Sequence, residues 1–180
     1  MNRQKLLIDW VKKQHEGQLI RRTDEPYLNH LTAVADLADV IPLGYEIGLC
    51  HDLFENTAVK ETVLLSVLAV FGYEVNEATF INNRVSELTN VFTKKNYPDL
   101  DKKTRKRNEA DRLAKISSAA QTVKYADLMY NMDWMLNYDK KHAKNYLYMK
   151  RSLLLKMNDG DRILLSQVIK KTDAGMASLL

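Results

Sequence analysis

An all-α bundle of about eight to nine helices, folded as a single domain, is the architecture the sequence predicts, from three observations. Glycine and proline are scarce, at 6 and 3 in 180 residues. Apolar residues recur at helical spacing almost throughout, and no segment sustains the alternation of apolar and polar residues that a strand requires. The domain is expected over residues 1–172, with a flexible tail at 173–180.

The elements follow in order. Leu6, Leu7, Trp10 and Val11 form the apolar stripe of a first helix that ends near Gly17. Pro26, preceded by acidic residues, suits the first turn of a second helix carrying Leu31, Val34, Leu37 and Ala38. Pro42 and Gly44 break the chain before a third helix at 44–56. A fourth, "KETVLLSVLAVFG", stops at Gly72, and a fifth runs over 74–92 with Val75, Ala78, Val85, Leu88 and Val91 toward the core. A polar loop surrounds Pro98. After it come a basic helix at 102–115, the segment "AAQTVKYADLMYNMDWML", a helix rich in Tyr, Leu and Met through 157, and a last helix at 161–171.

Composition excludes several classes. The hydrophobic share of 46% and charged share of 28% are those of a soluble globular protein. The longest apolar stretch, "TVLLSVLAVFGY", falls short of the roughly 18 to 20 residues a membrane span needs. No membrane partner is expected. The N-terminus lacks the apolar core of a secretory signal, and a lone cysteine has no internal disulfide partner, which together point to the cytoplasm. A net charge of +4 is too modest for a dedicated DNA or RNA binder, although "KKNYPDLDKKTRKR" and "IRRTDEP" concentrate the excess.

The chemistry concentrates in "GLCHDLFENT", where His51 and Asp52 interrupt an apolar run. Buried charge costs several kcal/mol unless it is paired or coordinates a metal. Read alone, an adjacent His and Asp is a hydrogen-bonded pair at a helix end. Within one helix, however, His51 with Glu55 and Asp52 with Asn56 are each four apart and share a side of the cylinder. His30 lies beside the apolar stripe of the second helix, and Asp127 sits among Val123, Ala126 and Met129, with Asn131 one turn on. Singly, each is a partnered core residue. Together, two His and two Asp on three helices offer imidazole and oxygen ligands suited to Mn²⁺, Fe²⁺ or Mg²⁺, with no thiolate to select zinc. Cys50 reads as a small buried hydrophobe rather than a redox sensor.

The strings "PYLNHLTAVA", "LCHDLFENT", "FGYEVNEATFINNRVSELT" and "KYADLMYN" resemble, in order, the motifs of the HD superfamily of metal-dependent phosphohydrolases. The closer similarity is to the hydrolase domain of the RelA/SpoT family and its stand-alone small alarmone hydrolases, metazoan SpoT homologues among them. It covers residues 5–135, leaving the helices at 139–171 as additions to that core. The resemblance implies one Mn²⁺ per chain held by His30, His51, Asp52 and Asp127, with Fe²⁺ or Mg²⁺ as substitutes. It implies hydrolysis of the 3′-pyrophosphate of guanosine tetra- or pentaphosphate, (p)ppGpp, a nucleotide of the stringent response.

In that scheme Glu55 handles the proton. The neighbouring family position is normally Asp and is Asn56 here, and Leu31 stands where a Pro usually follows the first His. An amide orients water but accepts no proton, so the acid–base work falls to Glu55 alone, or activity is reduced, or the substrate differs. Arg21 and Arg22 are expected to face the substrate, Lys94, Arg105 and Arg107 to meet its other pyrophosphate, and Asn131 to hold its sugar and phosphate region. Two other readings stay open: an HD phosphohydrolase of another nucleotide or a 3′-phosphorylated cofactor, and a catalytically weakened nucleotide-binding module. Self-association is also left open, with Trp134, Tyr138, Tyr146 and Tyr148 assigned to core and interface.

Overall fold

The computed structural model describes residues 2–179. Its helices are α1 (Arg3–Gln14), α2 (Leu28–Ala38), α3 (Gly44–Cys50), α4 (Leu53–Asn56), α5 (Glu61–Val70), α6 (Val75–Leu88), α7 (Lys102–Leu113), α8 (Ser118–Tyr138), α9 (Lys140–Leu154) and α10 (Arg162–Ala177). Among the described residues no strand forms; a lone bridge, Leu19 to Pro26, pinches the loop between α1 and α2. The predicted all-α class holds, with nine helices if α3 and α4 count as one broken helix. No helix is long and apolar enough to cross a membrane.

The break between α3 and α4 is the main departure from the expected third helix at 44–56. His51 is still helical, but Asp52 leaves helical geometry at φ −103°, ψ 2°. Helix α6 also stops early, at Leu88, because Thr89 turns extended and carboxylates take the next free amides, Glu55 that of Asn90 at 2.7 Å and Glu109 those of Val91 and Phe92 at 3.0 and 2.8 Å. At the C-terminus the expected loose tail is instead helical through Ala177. Thr172 and Gly175 are buried there, and the missing side chain of Gly175 lets α10 close on Leu136 and Leu147, which lie 3.1 and 3.2 Å from where a Cβ would stand. Composition does not register so close an approach.

Helix α8 is the axle of the fold, packing against α2, α3, α6, α9 and α10. Its Val123, Tyr125, Ala126 and Met132 are fully buried, as are Leu31, Val34 and Ala35 of α2 and Ile47 and Leu49 of α3. Each buried Leu, Ile, Val or Met among them contributes about 1.5–3 kcal/mol of burial. Side-chain caps fix the starts of the helices that matter most: Ser117 accepts from the Ala120 amide of α8, and Asp161 from the Leu164 amide of α10 at 2.8 Å.

Helices α2 and α3 also approach closely at Gly48, where a Cβ would fall 2.7 Å from the Ala35 Cα and 3.1 Å from the Val34 carbonyl oxygen. Backbone cannot yield as a flexible side chain can. A Gly48→Ala variant should therefore lose about 1–3 kcal/mol of stability, the usual cost of overpacking, seen as a lower urea midpoint with an unchanged slope.

Candidate metal centre

Three elements converge on one cavity. α2 supplies His30, the α3–α4 break supplies His51 and Asp52, and α8 supplies Asp127; His30, His51 and Asp127 are buried. The break lets two consecutive side chains, which a continuous helix would splay apart, reach the same point. His51 is oriented from behind, its Nδ1–H donating to the Gly48 carbonyl at 2.7 Å. This leaves the Nε2 lone pair on the side of Asp52 and Asp127, buried and without a hydrogen-bond partner.

The His51 Nε2 lies 3.3 Å from Asp52 Oδ2 and 3.8 Å from Asp127 Oδ1, and the His30 Nε2 lies 3.7 and 3.6 Å from the same two oxygens. None of these pairs is hydrogen-bonded: the His30 separations are too long, and the His51 Nε2 has no partner. Ligands bonded at about 2.1 Å to a six-coordinate ion stand about 3 Å apart when adjacent and about 4 Å when opposed. The four atoms match that spacing. His30, His51 and Asp127 place ligand atoms within 4.8 Å of one another, and Asp52 joins them through both imidazoles. With its orphaned imidazole nitrogen and its two-nitrogen, two-oxygen donor set, the cluster fits a divalent cation.

Electrostatics agree. Burial and the adjacent His51 push the His30 pKa down to about 4, so its imidazole is neutral and available as a ligand near pH 7. Burial would raise the Asp127 carboxyl, but Lys124, His51 and His30 outweigh it and hold the group well below the usual carboxylate range. Lys124 donates from Nζ to Asp127 Oδ2 at 2.7 Å, and Asn131 Nδ2 donates to Asp127 Oδ1 at 2.5 Å. Tyr27 donates its hydroxyl proton to Asp52 Oδ2 and accepts from Asn56 Nδ2 at 3.1 Å. Neither Lys124 nor Tyr27 is among the residues singled out from the sequence. Lys124 is signalled by its three-residue spacing to Asp127, and Tyr27 by its place three residues before His30.

A cavity of about 360 Å³ opens over these groups, lined also by Glu55, Asn56, Arg21, Tyr130 and Trp134. Both oxygens of Glu55 accept from Asn90, backbone N–H and side-chain Nδ2 each at 2.7 Å. Burial raises the Glu55 pKa and the nearby Asp52 adds to it, against the lowering effect of the Asn90 bonds. Arg21 stands at the rim, its guanidinium carbon 5.9 Å from the Trp134 ring centroid.

The other expected substrate contacts fall elsewhere. Arg22, in a left-handed conformation at φ 63°, turns toward the C-terminus of α8, bonding the Tyr138 carbonyl and lying 3.4 Å from Asp139. Arg105 bonds back to the Leu100 carbonyl, and Lys94 and Arg107 are exposed and outside the cavity wall. Asn131 does line the cavity, but its amide nitrogen is committed to Asp127. Cys50 is fully buried, and burial pushes its thiol pKa up, which leaves it an inert apolar group.

An all-α scaffold presenting two imidazoles and two carboxylates in this order is the arrangement expected from the resemblance to HD-type hydrolase domains, and known proteins share both its sequence and its fold in part. No family model matches it. It is 32% identical over 134 residues to guanosine-3′,5′-bis(diphosphate) 3′-pyrophosphohydrolase MESH1 of Homo sapiens, covering 69% of this chain and 64% of that protein. The Mus musculus protein of the same name matches to the same extent. The matched region thus spans somewhat under two thirds of these curated relatives. A solved structure of a metazoan orthologue of SpoT, described as hydrolysing ppGpp and playing a role in starvation responses, superposes with a TM-score of 0.74. That match covers 100% of this chain and 98% of the other at 20% identity, and it shows the shared fold.

Two outcomes follow. Millimolar Mn²⁺ should stabilise chelator-treated protein by about 2.7 kcal/mol at a hundredfold excess over Kd, read as a higher thermal midpoint, and Asp127→Ala should remove the effect. In the metal-free chain, His30 stays neutral when folded but protonates near its ordinary value of 6.5 when unfolded. Stability should therefore fall as pH drops from about 6.5 toward about 4, measured by urea titration across pH.

Proposed function

We propose that the chain is a manganese-dependent phosphohydrolase that removes the 3′-pyrophosphate of (p)ppGpp, releasing pyrophosphate, in the cytoplasm and as part of a stringent-type response. The observation that carries this reading is the convergence of His30, His51, Asp52 and Asp127, with Glu55 lining the same cavity as His30, Asp52 and Asp127, in a chain 32% identical over 134 residues to a bis(diphosphate) hydrolase.

Bound there, the ion would lower the pKa of water and offset phosphate charge. Glu55, its pKa raised chiefly by partial desolvation, is the group that takes the water's proton, as a base placed closer to working pH than a free carboxylate. Its two oxygens hold about four lone pairs, of which Asn90 occupies two. Lys124 and Asn131 hold Asp127, and Tyr27 holds Asp52, so both carboxylates keep one orientation. Arg21, at the rim and unpaired with any carboxylate among the described residues, supplies a planar donor face for a phosphate. Asn56 carries no proton; it supports Tyr27.

A second reading retains the metal and changes the substrate to another nucleotide or a 3′-phosphorylated cofactor. It draws on Asn56 and on the outward course of Arg22, Lys94 and Arg105. A panel of nucleotides assayed with Mn²⁺ separates the two: pyrophosphate release from ppGpp supports the first, and turnover of a different nucleotide with ppGpp inert supports the second.

Within the first reading, Asp52→Ala should abolish turnover and Glu55→Gln should lower kcat by about 10²–10⁴. Asn56→Asp should change kcat by less than about tenfold if Glu55 handles the proton alone. A larger rise in the Asn56→Asp rate would show that the site lacks a base that aspartate restores.

A further inference from the structure

Helix α4 is four residues long and carries both Glu55 and Asn56. So short a helix does not hold itself, because the cost of forming a first turn is recovered only over many further residues. Its place is set by what grips it from outside. Asn90 takes the carboxylate of Glu55. A second grip comes from the loop after α1, where Gln18 donates from Nε2 to the main-chain carbonyl of Asn56 at 2.8 Å. The last carbonyls of a helix lack partners within it, and Gln18 supplies one.

Gln18 is itself held. Its amide nitrogen is committed to Asn56, so its Oε1 is the atom that meets His15, 2.8 Å from Nδ1. An amide oxygen only accepts, and His15 therefore carries a proton on Nδ1 and donates it. His15 is 3% exposed, and burial pushes its pKa down, which keeps the ring neutral with that single proton. Its Nε2 is buried and meets no partner. An unpaired buried acceptor costs stability, so packing alone would be served better by phenylalanine. The ring also stacks on Tyr27, with centroids 5.4 Å apart and planes 24° from parallel, and Tyr27 accepts from the Asn56 side chain. Asn56 is thus held at its carbonyl through Gln18 and at its amide through Tyr27, and both lines of contact run back to His15.

We propose that Gln18, oriented by His15, is a positioning residue: it clamps the C-terminal end of α4 and so fixes Glu55, the residue before Asn56, on the wall of the metal cavity. Neither His15 nor Gln18 lines that cavity, so they act through α4 and touch no substrate group. The inference rests on the phosphohydrolase reading, in which Glu55 takes the proton. Its signature is a loss of turnover without a loss of metal, because His51 and Asp127 are oriented by contacts elsewhere.

The test uses three variants of the full chain, Gln18→Leu, His15→Phe and His15→Asn. Phenylalanine keeps a ring on Tyr27 and drops the donor, whereas asparagine keeps an N–H near the Nδ1 position and drops the ring. Assayed on ppGpp with Mn²⁺, Gln18→Leu and His15→Phe should each lower kcat by about 5–100-fold, the span from one lost hydrogen bond to a misplaced reacting group. KM and the amount of Mn²⁺ bound per chain should not change, and His15→Asn should recover most of the loss. A role in packing alone predicts the opposite order, with His15→Phe the more active. That order, a parallel loss of bound Mn²⁺, or an unchanged kcat in Gln18→Leu overturns the inference and leaves the hydrolase reading intact. If ppGpp is inert with the parent chain, the hydrolase reading fails, and the clamp on α4 is decided by amide hydrogen exchange. Faster exchange at Glu55, Asn56 and Thr57 in Gln18→Leu, with the α8 amides unchanged, supports it; equal exchange in the two chains overturns it.

Discussion

A buried set of two imidazoles and two carboxylates, 3.3–3.8 Å apart and unbonded to one another, is the constraint around which this molecule is built. Without a cation, two carboxylates sharing one site repel and bear a desolvation cost. With one, the same spacing becomes a coordination shell. The surroundings behave accordingly. Gly48 lends its carbonyl to His51, Lys124 and Asn131 brace Asp127, and Tyr27 braces Asp52, so each carboxylate and one imidazole are held before any ion arrives. The α2–α3 contact at Ala35 and Gly48 is part of that arrangement, because the glycine that orients His51 is the one that lets α2 bring His30 close.

What was legible in the sequence was what depends on local spacing. Helical periodicity located nearly every helix, and the order His30, His51–Asp52, Asp127 pointed to three helices meeting at one point. The break between α3 and α4 was not legible, since "GLCHDLFENT" has no proline or internal glycine after Gly48 to announce it. Its cause is tertiary: Asp52 leaves helical geometry and meets the hydroxyl of Tyr27 on another helix turn. The proposed substrate residues fared worst because charge alone does not say which way a long side chain runs. Arg22 satisfies the end of α8 and Arg105 a local carbonyl, both contacts set by how loops return to the bundle.

Asn56 is the residue where sequence and structure pull hardest against each other. As a replacement for aspartate it reads as damage. In place, it completes a hydrogen-bond chain with consistent polarity: the Asn56 amide donates to the Tyr27 oxygen, and Tyr27 passes its only proton to Asp52. Burial and Asp52 push the Tyr27 pKa up, which keeps that proton on the tyrosine. A carboxylate at 56 in this geometry would face a hydroxyl oxygen whose proton is already committed, and would add a third negative charge beside Asp52 and Glu55. The amide thus trades a proton acceptor for a better-braced Asp52, and the acid–base burden shifts to Glu55. That residue is equipped for it by position rather than by sequence, since Asn90, at the point where α6 gives way to the loop, fixes both of its oxygens from outside the cavity.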